Sequence, residues 1–378
     1  MDHFPAPPYL LLTPGPLTTT PTVKAAMFRD FCTWDEDYNT IVQEIRTRLV
    51  ALAVADANAA KEFTAVPMQG SGTFCVEAAL TSFVPRDGKL LVLANGAYGR
   101  RMAQIAQVAA IPHTLLDFGD TAPPDPAQVE AALNADPALT HLAMVHCETT
   151  TGMLNPVAPM ARLARRRGIP FILDAMSSFG GIPLDMDREG IDILISSANK
   201  CIQGVPGFGF VLARRALLEE CQGRARSLSL DLFDQWKTME QGKGKWRFTS
   251  PTHVVRAFAQ ALEELETEGG IPARHRRYTQ SQHRLSAHMT RLGFVPLLSK
   301  EHQSPVITSF LFPDHPDFDF RRFYQALKAR GFVIYPGKVT ARDTFRIGNI
   351  GDVHPADMDR LAEAVHGAMD WNSTSTIS

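Results

Sequence analysis

Six short apolar runs, each followed by an amphipathic stretch of about ten to fifteen residues, constrain the fold of this chain more than any other feature. They are Phe63–Met68, Lys89–Ala94, His141–His146, Pro170–Asp174, Ile191–Ser196 and Phe208–Ala213. Runs with no polar alternation suit strands buried on both faces, and a helix after each strand lets the next strand run in the same direction. The expected fold is therefore α/β, a large doubly wound domain built on a mostly parallel sheet.

The chain before and after these runs reads differently. Residues 1–20 hold five prolines and four threonines without periodicity, which predicts an extended N-terminal arm lying along other parts of the chain. The large domain is expected over 21–270. A helix over Val254–Glu268 should end at Gly269-Gly270, where a smaller C-terminal α+β domain, 271–371, begins. That domain should contain a basic helix near Arg274–Leu292, a strand near Val306–Phe312, a helix near Phe318–Arg330, strands near Phe332–Tyr335 and Thr344–Ile347, and a last helix from about Pro355. The tail 372–378, NSTSTIS, has the composition of a disordered segment.

Composition removes several function classes. With 38 Lys and Arg against 40 Asp and Glu, and no block of like charge, the chain lacks the footprint of a nucleic-acid or membrane-surface binder. No run approaches the roughly 20 apolar residues of a membrane span. The five cysteines show neither CxxC pairing nor zinc spacing, so no metal is expected and the protein reads as cytoplasmic with reduced thiols. A small-molecule substrate is the remaining expectation.

Four segments carry chemistry. In Ile193–Gly209, ILISSANKCIQGVPGFG, a strand ends in small polar residues and delivers Lys200 into a Gly-rich loop, where parallel sheets bind ligands. A desolvated amine there can lose its proton and form a Schiff base, although most lysines are simply solvated surface groups. Twenty-six residues earlier, PFILDAMSSFGG ends a strand in Asp174, suited either to a helix N-cap or to holding the proton on a pyridinium nitrogen. Gln69-Gly-Ser-Gly-Thr73 opens a helix and could cradle a phosphate on its N–H groups and hydroxyls, or serve as an ordinary turn. Arg346, in FRIGNIG, suits forked binding of a carboxylate or phosphonate, or a structural ion pair.

Two further loops follow strands on the same side. Tyr98, in NGAYGRR, is flanked by glycines that would let its ring lie flat over a cofactor, or it is an ordinary packed tyrosine. Glu148-Thr-Thr-Thr-Gly152 should turn its hydroxyls to the same crevice, unless they only stabilise a turn.

Taken together, these motifs resemble the class V, fold-type I, pyridoxal-phosphate aminotransferases, and more closely the 2-aminoethylphosphonate–pyruvate transaminases. LLLTPGPLT, CTWDEDYN, QGSGTF, NGAYGRR, MVHCETTTGMLNP, DAMSSFGGIP, LISSANKCIQGVPGFGF, RSLSLDL, GKWRFTSPTH, FVIYPGK and FRIGNIG carry the resemblance, across roughly residues 9–351. It implies pyridoxal 5′-phosphate as cofactor, with Lys200 as the Schiff-base lysine and Asp174 on the ring nitrogen. It further implies Ser71, Gly72 and Thr73 on the phosphate, Tyr98 stacked on the ring and Thr149 near its hydroxyl. Thr249 would reach the phosphate from a neighbouring subunit, making a homodimer with shared active sites, and Arg346 would bind the substrate anion.

The implied reaction moves the amino group of 2-aminoethylphosphonate to pyruvate, giving phosphonoacetaldehyde and L-alanine by a ping-pong route through pyridoxamine phosphate, a step of phosphonate catabolism. The donor's amine-bearing carbon has two hydrogens and no carboxylate, so only a proton can leave it, and Lys200 is the nearby base. An alanine– or serine–glyoxylate transaminase would use the same machinery on other donors. A cysteine desulfurase would need a cysteine well downstream of the lysine, and none follows Cys221. A catalytically dead binding protein would have no need of the Lys200–Asp174 pair.

Overall fold

The computed structural model describes residues 8–337 and 342–371. The tail expected to be disordered, and the first seven residues of the arm, lie outside the described residues. All six apolar runs form strands of one seven-stranded sheet: β1 (Phe63–Gln69), β2 (Lys89–Ala94), β4 (Leu139–Val145), β5 (Phe171–Asp174), β6 (Ile193–Ser197) and β7 (Phe208–Arg214). The seventh strand, β3 (His113–Asp117), was not among the runs, because it is an edge strand only half-buried and lacks the continuous apolar signature. The strand order is β1-β7-β6-β5-β4-β2-β3. β7 alone runs opposite to the other six strands.

Successive residues of the central strands enter opposite cores, as the two-residue period of a strand requires. Leu142, Met144, Phe171, Leu173 and Leu194 belong to one buried cluster. Ala143, Val145, Ile172, Ile193 and Ile195 belong to the other. Helix α1 (Glu36–Ala53) packs on the first face, and α2 (Gly72–Phe83) and α3 (Ala97–Val108) on the second. This is the doubly wound arrangement, and its parallel strands deliver their carboxyl ends to one edge.

Helix α4 (Thr252–Glu268) stops at Gly269, whose φ of +103° suits a residue without Cβ, and α5 (Gly270–Arg291) starts at once. We place the division between the large and small units at this joint. The C-terminal unit contains a three-stranded antiparallel sheet, β8 (Ile307–Leu311), β9 (Tyr335–Pro336) and β10 (Thr344–Gly348), in the order β8-β10-β9. Helices α6 (Phe320–Ala329) and α7 (Pro355–His366) pack with α5 around Phe294, Phe310, Phe323 and Phe345. A smaller cluster of Leu17, Cys147, Cys201, Tyr278, Ile307 and Ile350 joins the two units.

The arm lies along the C-terminal unit. Leu10 and Leu11 pair in parallel with Phe332 and Val333, and Leu12 is fully buried among the aromatic residues. Proline-rich chain cannot form its own ladder, so it borrows the edge of another element. Among the described residues no helix is long and apolar enough to cross a membrane.

Candidate active site

Two registers align the strand ends. Val145 on β4 is opposite Asp174 on β5, and Asp174 is opposite Ile195 on β6. The loops after β4, β5 and β6 therefore leave the sheet side by side, bringing Glu148–Thr151, Asp174 and Lys200 to one edge, where open parallel sheets present their ligand crevice.

Asp174 is buried. One carboxylate oxygen, Oδ1, accepts the Met176 N–H at 2.9 Å, but the chain that follows is a turn, so Asp174 is not the N-cap of a helix. Its Oδ2 has no hydrogen-bond partner among the described residues. Burial pushes its pKa up to about 6, against the opposing pull of the Met176 N–H and of Lys200 and Arg101. Lys200 is shifted the other way. Burial brings its ammonium down to about 8, while Asp174 works in the opposite sense and the charge of Arg346 adds to the fall. Its Nζ donates to the Pro14 carbonyl at 2.7 Å.

Helix α2 begins at the Ser71 N-cap, whose side chain makes no capping bond, so its first N–H groups remain available to an anion. A Cβ on Gly72 would stand 2.3 Å from the Met176 sulfur, so a larger residue there would have to displace that side chain. Thr73 Oγ1 accepts a long hydrogen bond of 3.4 Å from Arg101, and that guanidinium also lies 5.0 Å from the centroid of the Tyr98 ring. Arg101 thus sets a positive charge beside the cradle, a placement that the sequence alone did not reveal.

Glu148 was overlooked as a functional carboxylate. It is fully buried, and its Oε2 accepts the N–H groups of Tyr98 and Gly99 at 3.1 and 3.3 Å, satisfying the start of α3. Its Oε1 accepts the Thr150 hydroxyl at 2.6 Å. Burial raises its pKa, opposed by these three donors and by the Thr150 N–H. The glycines flanking Tyr98 also allow close packing: a Cβ on Gly96 would meet Glu148 at 2.4 Å, and one on Gly99 would meet Ala94 Cα at 2.7 Å.

The expectation for the three threonine hydroxyls needs correcting. Those of Thr150 and Thr151 turn back to Glu148, and only that of Thr149 makes no hydrogen bond among the described residues. The Thr149 carbonyl instead accepts from Arg346 Nη1 at 2.8 Å. Arg346 is buried on β10, its Nε and Nη2 donate to the Pro336 carbonyl at 3.0 and 2.9 Å, and it lies 5.0 Å from the Tyr335 ring centroid. No carboxylate pairs with it among the described residues. Burial lowers its pKa. Thr249 is the exception to this convergence: it is exposed and makes no hydrogen bond among the described residues of its own chain.

These environments yield a pH prediction for the chain without added ligand. The folded state binds the Asp174 proton more tightly than the unfolded state, whose aspartate titrates near roughly 3.9. The Asp174 contribution to stability is therefore fully present below about pH 4 and is lost as pH rises towards about 6. Urea unfolding midpoints should fall between those pH values in the wild type and fall less in Asp174→Asn. Equal slopes in the two proteins would show that the carboxyl is not desolvated.

The family model for class-V aminotransferases matches residues 23–353. A 2-aminoethylphosphonate–pyruvate transaminase of Syntrophobacter fumaroxidans is 63% identical over 97% of this chain and 98% of the relative. Proteins with the same name from Vibrio vulnificus and Bacteroides fragilis are 60% and 58% identical, over 96% and 95% of this chain and 98% of each relative. Among solved structures, ureidoglycine–glyoxylate aminotransferase of Bacillus subtilis superposes with a TM-score of 0.88 at 20% identity, covering 100% of this chain and 96% of that one. Pyridoxamine–pyruvate aminotransferase of Mesorhizobium loti gives 0.86 at 24% identity, covering 97% and 94%. At such identities the likeness shows the fold, which is fold-type I with a large mostly parallel sheet and a smaller C-terminal unit. The chain belongs to the class-V aminotransferases, and within them to the group of 2-aminoethylphosphonate–pyruvate transaminases.

Proposed function

We propose that this enzyme transfers the amino group of 2-aminoethylphosphonate to pyruvate, yielding phosphonoacetaldehyde and L-alanine, in phosphonate catabolism. The observation that carries the reading is near-full-length identity of 58–63% to relatives bearing that name. The site is consistent with it in chemical detail.

The residues present fit pyridoxal 5′-phosphate. An uncapped helix start with Ser71, Gly72 and Thr73 suits its phosphate, the free Oδ2 of buried Asp174 suits its ring nitrogen, Tyr98 is available to stack and the unused Thr149 hydroxyl to meet the ring hydroxyl. When bound, the cofactor supplies an electron-withdrawing ring that accepts the charge left as a proton leaves the donor's amine-bearing carbon. Asp174 holds the proton on the ring nitrogen, which keeps that ring electron-poor.

Lys200 holds the cofactor through its amine and, once released, carries the proton between the donor carbon and its acceptor position. Its depressed pKa suits both tasks. Brought down to about 8 by burial, the amine is neutral far more often near neutral pH than that of an ordinary lysine. Arg346, buried without a carboxylate partner, binds the anionic end of each substrate, the phosphonate of the donor and the carboxylate of pyruvate or alanine.

The active unit in this reading is a homodimer in the cytoplasm. Thr249 follows Phe248, which with Gly70, Phe74, Leu230 and Trp246 lines a cavity of about 340 Å³, and the exposure of Phe74, Phe248 and Leu228 suits cover by a partner. All five cysteines are free, in keeping with a reducing compartment.

A donor screen against pyruvate, scoring alanine formed from 2-aminoethylphosphonate, serine, taurine and β-alanine, tests the central reading. Alanine should appear chiefly with the phosphonate, and a preference for serine would point to the glyoxylate-type transaminases instead. Lys200→Ala should abolish turnover.

For Arg346→Ala, kcat/KM should fall for both substrates by the equivalent of about 2–5 kcal/mol, the loss expected when one partner of a desolvated charge pair is removed. Arg346→Lys, which keeps the charge but loses the fork, should lose less. Unchanged steady-state kinetics in the alanine variant would move the anion site elsewhere, first to the backbone N–H groups of residues 13–17.

Sharing of the site is tested by mixing. Thr249→Ala and Lys200→Ala proteins combined under conditions that exchange subunits should regain activity through hybrid dimers with one intact site. A mixture no more active than its components would argue for independent sites.

A further inference from the structure

The chain on either side of Thr13–Pro16 is fastened to the C-terminal unit. The Leu12 carbonyl accepts the Gly348 N–H at 3.0 Å, and the Thr18 carbonyl accepts the Asp352 N–H at 2.9 Å. The approach to β10 is close enough that a Cβ on Gly348 would stand 2.4 Å from the Thr13 carbonyl oxygen. Between these anchors the turn closes on itself: Thr13 Oγ1 donates to the Pro16 carbonyl at 2.6 Å and accepts the Gly15 N–H at 3.3 Å. Gly348 lies two residues beyond Arg346 on the same strand, so the turn and the substrate-binding guanidinium are carried by one body.

The free side of this turn meets Lys200. The Pro14 carbonyl accepts from Nζ at 2.7 Å. A Cβ on Gly15 would fall 2.6 Å from Nζ and 3.1 Å from Cδ, and the φ of Gly15, +119°, would strain any other residue. The conformation therefore favours glycine, and a larger residue would also push the Lys200 amine away from the turn.

We propose that the Pro14 carbonyl, presented by the Gly15 turn, is a positioning group for Lys200: it holds the amine whenever that amine is not joined to cofactor or substrate, and keeps the proton carrier at the reacting face during turnover. The inference rests on Lys200 being the reacting amine. A released lysine on a four-carbon stem has many rotamers, and a fixed acceptor selects one of them. A carbonyl also favours the protonated amine, because it accepts more strongly from an ammonium than from a neutral donor. The groups facing Nζ are then Asp174 and Cys201, which raise its proton affinity, Arg346 and burial, which lower it, and the Pro14 carbonyl, which offsets part of that fall.

The test uses full-length protein stripped of cofactor and mixed with pyridoxal 5′-phosphate over a range of pH, with uptake followed by the rise in yellow absorbance. Uptake requires the neutral amine, so its midpoint reports the ionisation of Lys200. Gly15→Ala pushes the turn off the amine, and Thr13→Val removes the hydroxyl that closes the turn without adding bulk. Gly168→Ala is the control, with a φ of +69° and no atom within 4 Å of the added Cβ.

The midpoint should drop by about half a unit, a roughly threefold change in proton affinity, in both arm variants and not in the control. In the loaded enzyme kcat should fall about tenfold in both, with a smaller change in KM, since it is the proton carrier that is displaced. Thr13→Val decides the matter alone if Gly15→Ala does not fold. Arm variants that melt like the control and keep both the wild-type midpoint and the wild-type kcat would overturn the positioning role. A wild-type chain that takes up no cofactor would overturn this inference together with the reading on which it rests.

Discussion

The parallel register of β4, β5 and β6 is the constraint on which the rest of the site depends. Because Val145, Asp174 and Ile195 are opposite one another, three separate loops leave the sheet at the same height. A shift of one residue in any of these strands would exchange its buried faces, since side chains alternate, and would also retract its loop from the crevice. The hydrophobic cores on the two faces thus hold this edge in place: Ile172 and Leu173 point into different clusters, and together they fix where Asp174 emerges.

Burial at that edge sets the chemistry. The two acids, Glu148 and Asp174, are pushed up, and the two bases, Lys200 and Arg346, are pushed down. Isolated charges in such a place would be strongly unfavourable, and each is tolerated because it has specific partners. Glu148 has the N–H groups at the start of α3 and the Thr150 hydroxyl, and Arg346 has the carbonyls of Thr149 and Pro336. Carbonyl partners leave the charge of Arg346 uncancelled, unlike that of an arginine committed to an ion pair. Glu148 has the complementary role, organising the helix that carries Tyr98.

The two units are coupled at close quarters. Arg346 reaches from β10 to the loop after β4, and the arm reaches from β10 to the loop after β6. Glycine at 348 allows the second of these approaches, where even a methyl group would meet the Thr13 carbonyl. Strand β10 and Lys200 are therefore linked through the arm, whose backbone is fastened to Gly348 and whose Pro14 carbonyl accepts from the Lys200 side chain.

By itself the sequence determined the six buried strands, the order of elements in the C-terminal unit, and the residues at the strand ends, Lys200 and Asp174 among them, because period, apolar runs and glycine placement are local properties. It left β3 unseen, since a half-exposed edge strand has no continuous apolar run. Tertiary structure alone decided what those residues touch. The Lys200–Pro14 and Arg346–Thr149 bonds join positions 186 and 197 residues apart, and the Thr150 hydroxyl turns inward to a carboxylate that accepts from Tyr98 and Gly99, about fifty residues away. No local pattern encodes such contacts. They arise when separate elements are packed to the same edge, and there the polar groups must find partners in whatever chain has been brought beside them.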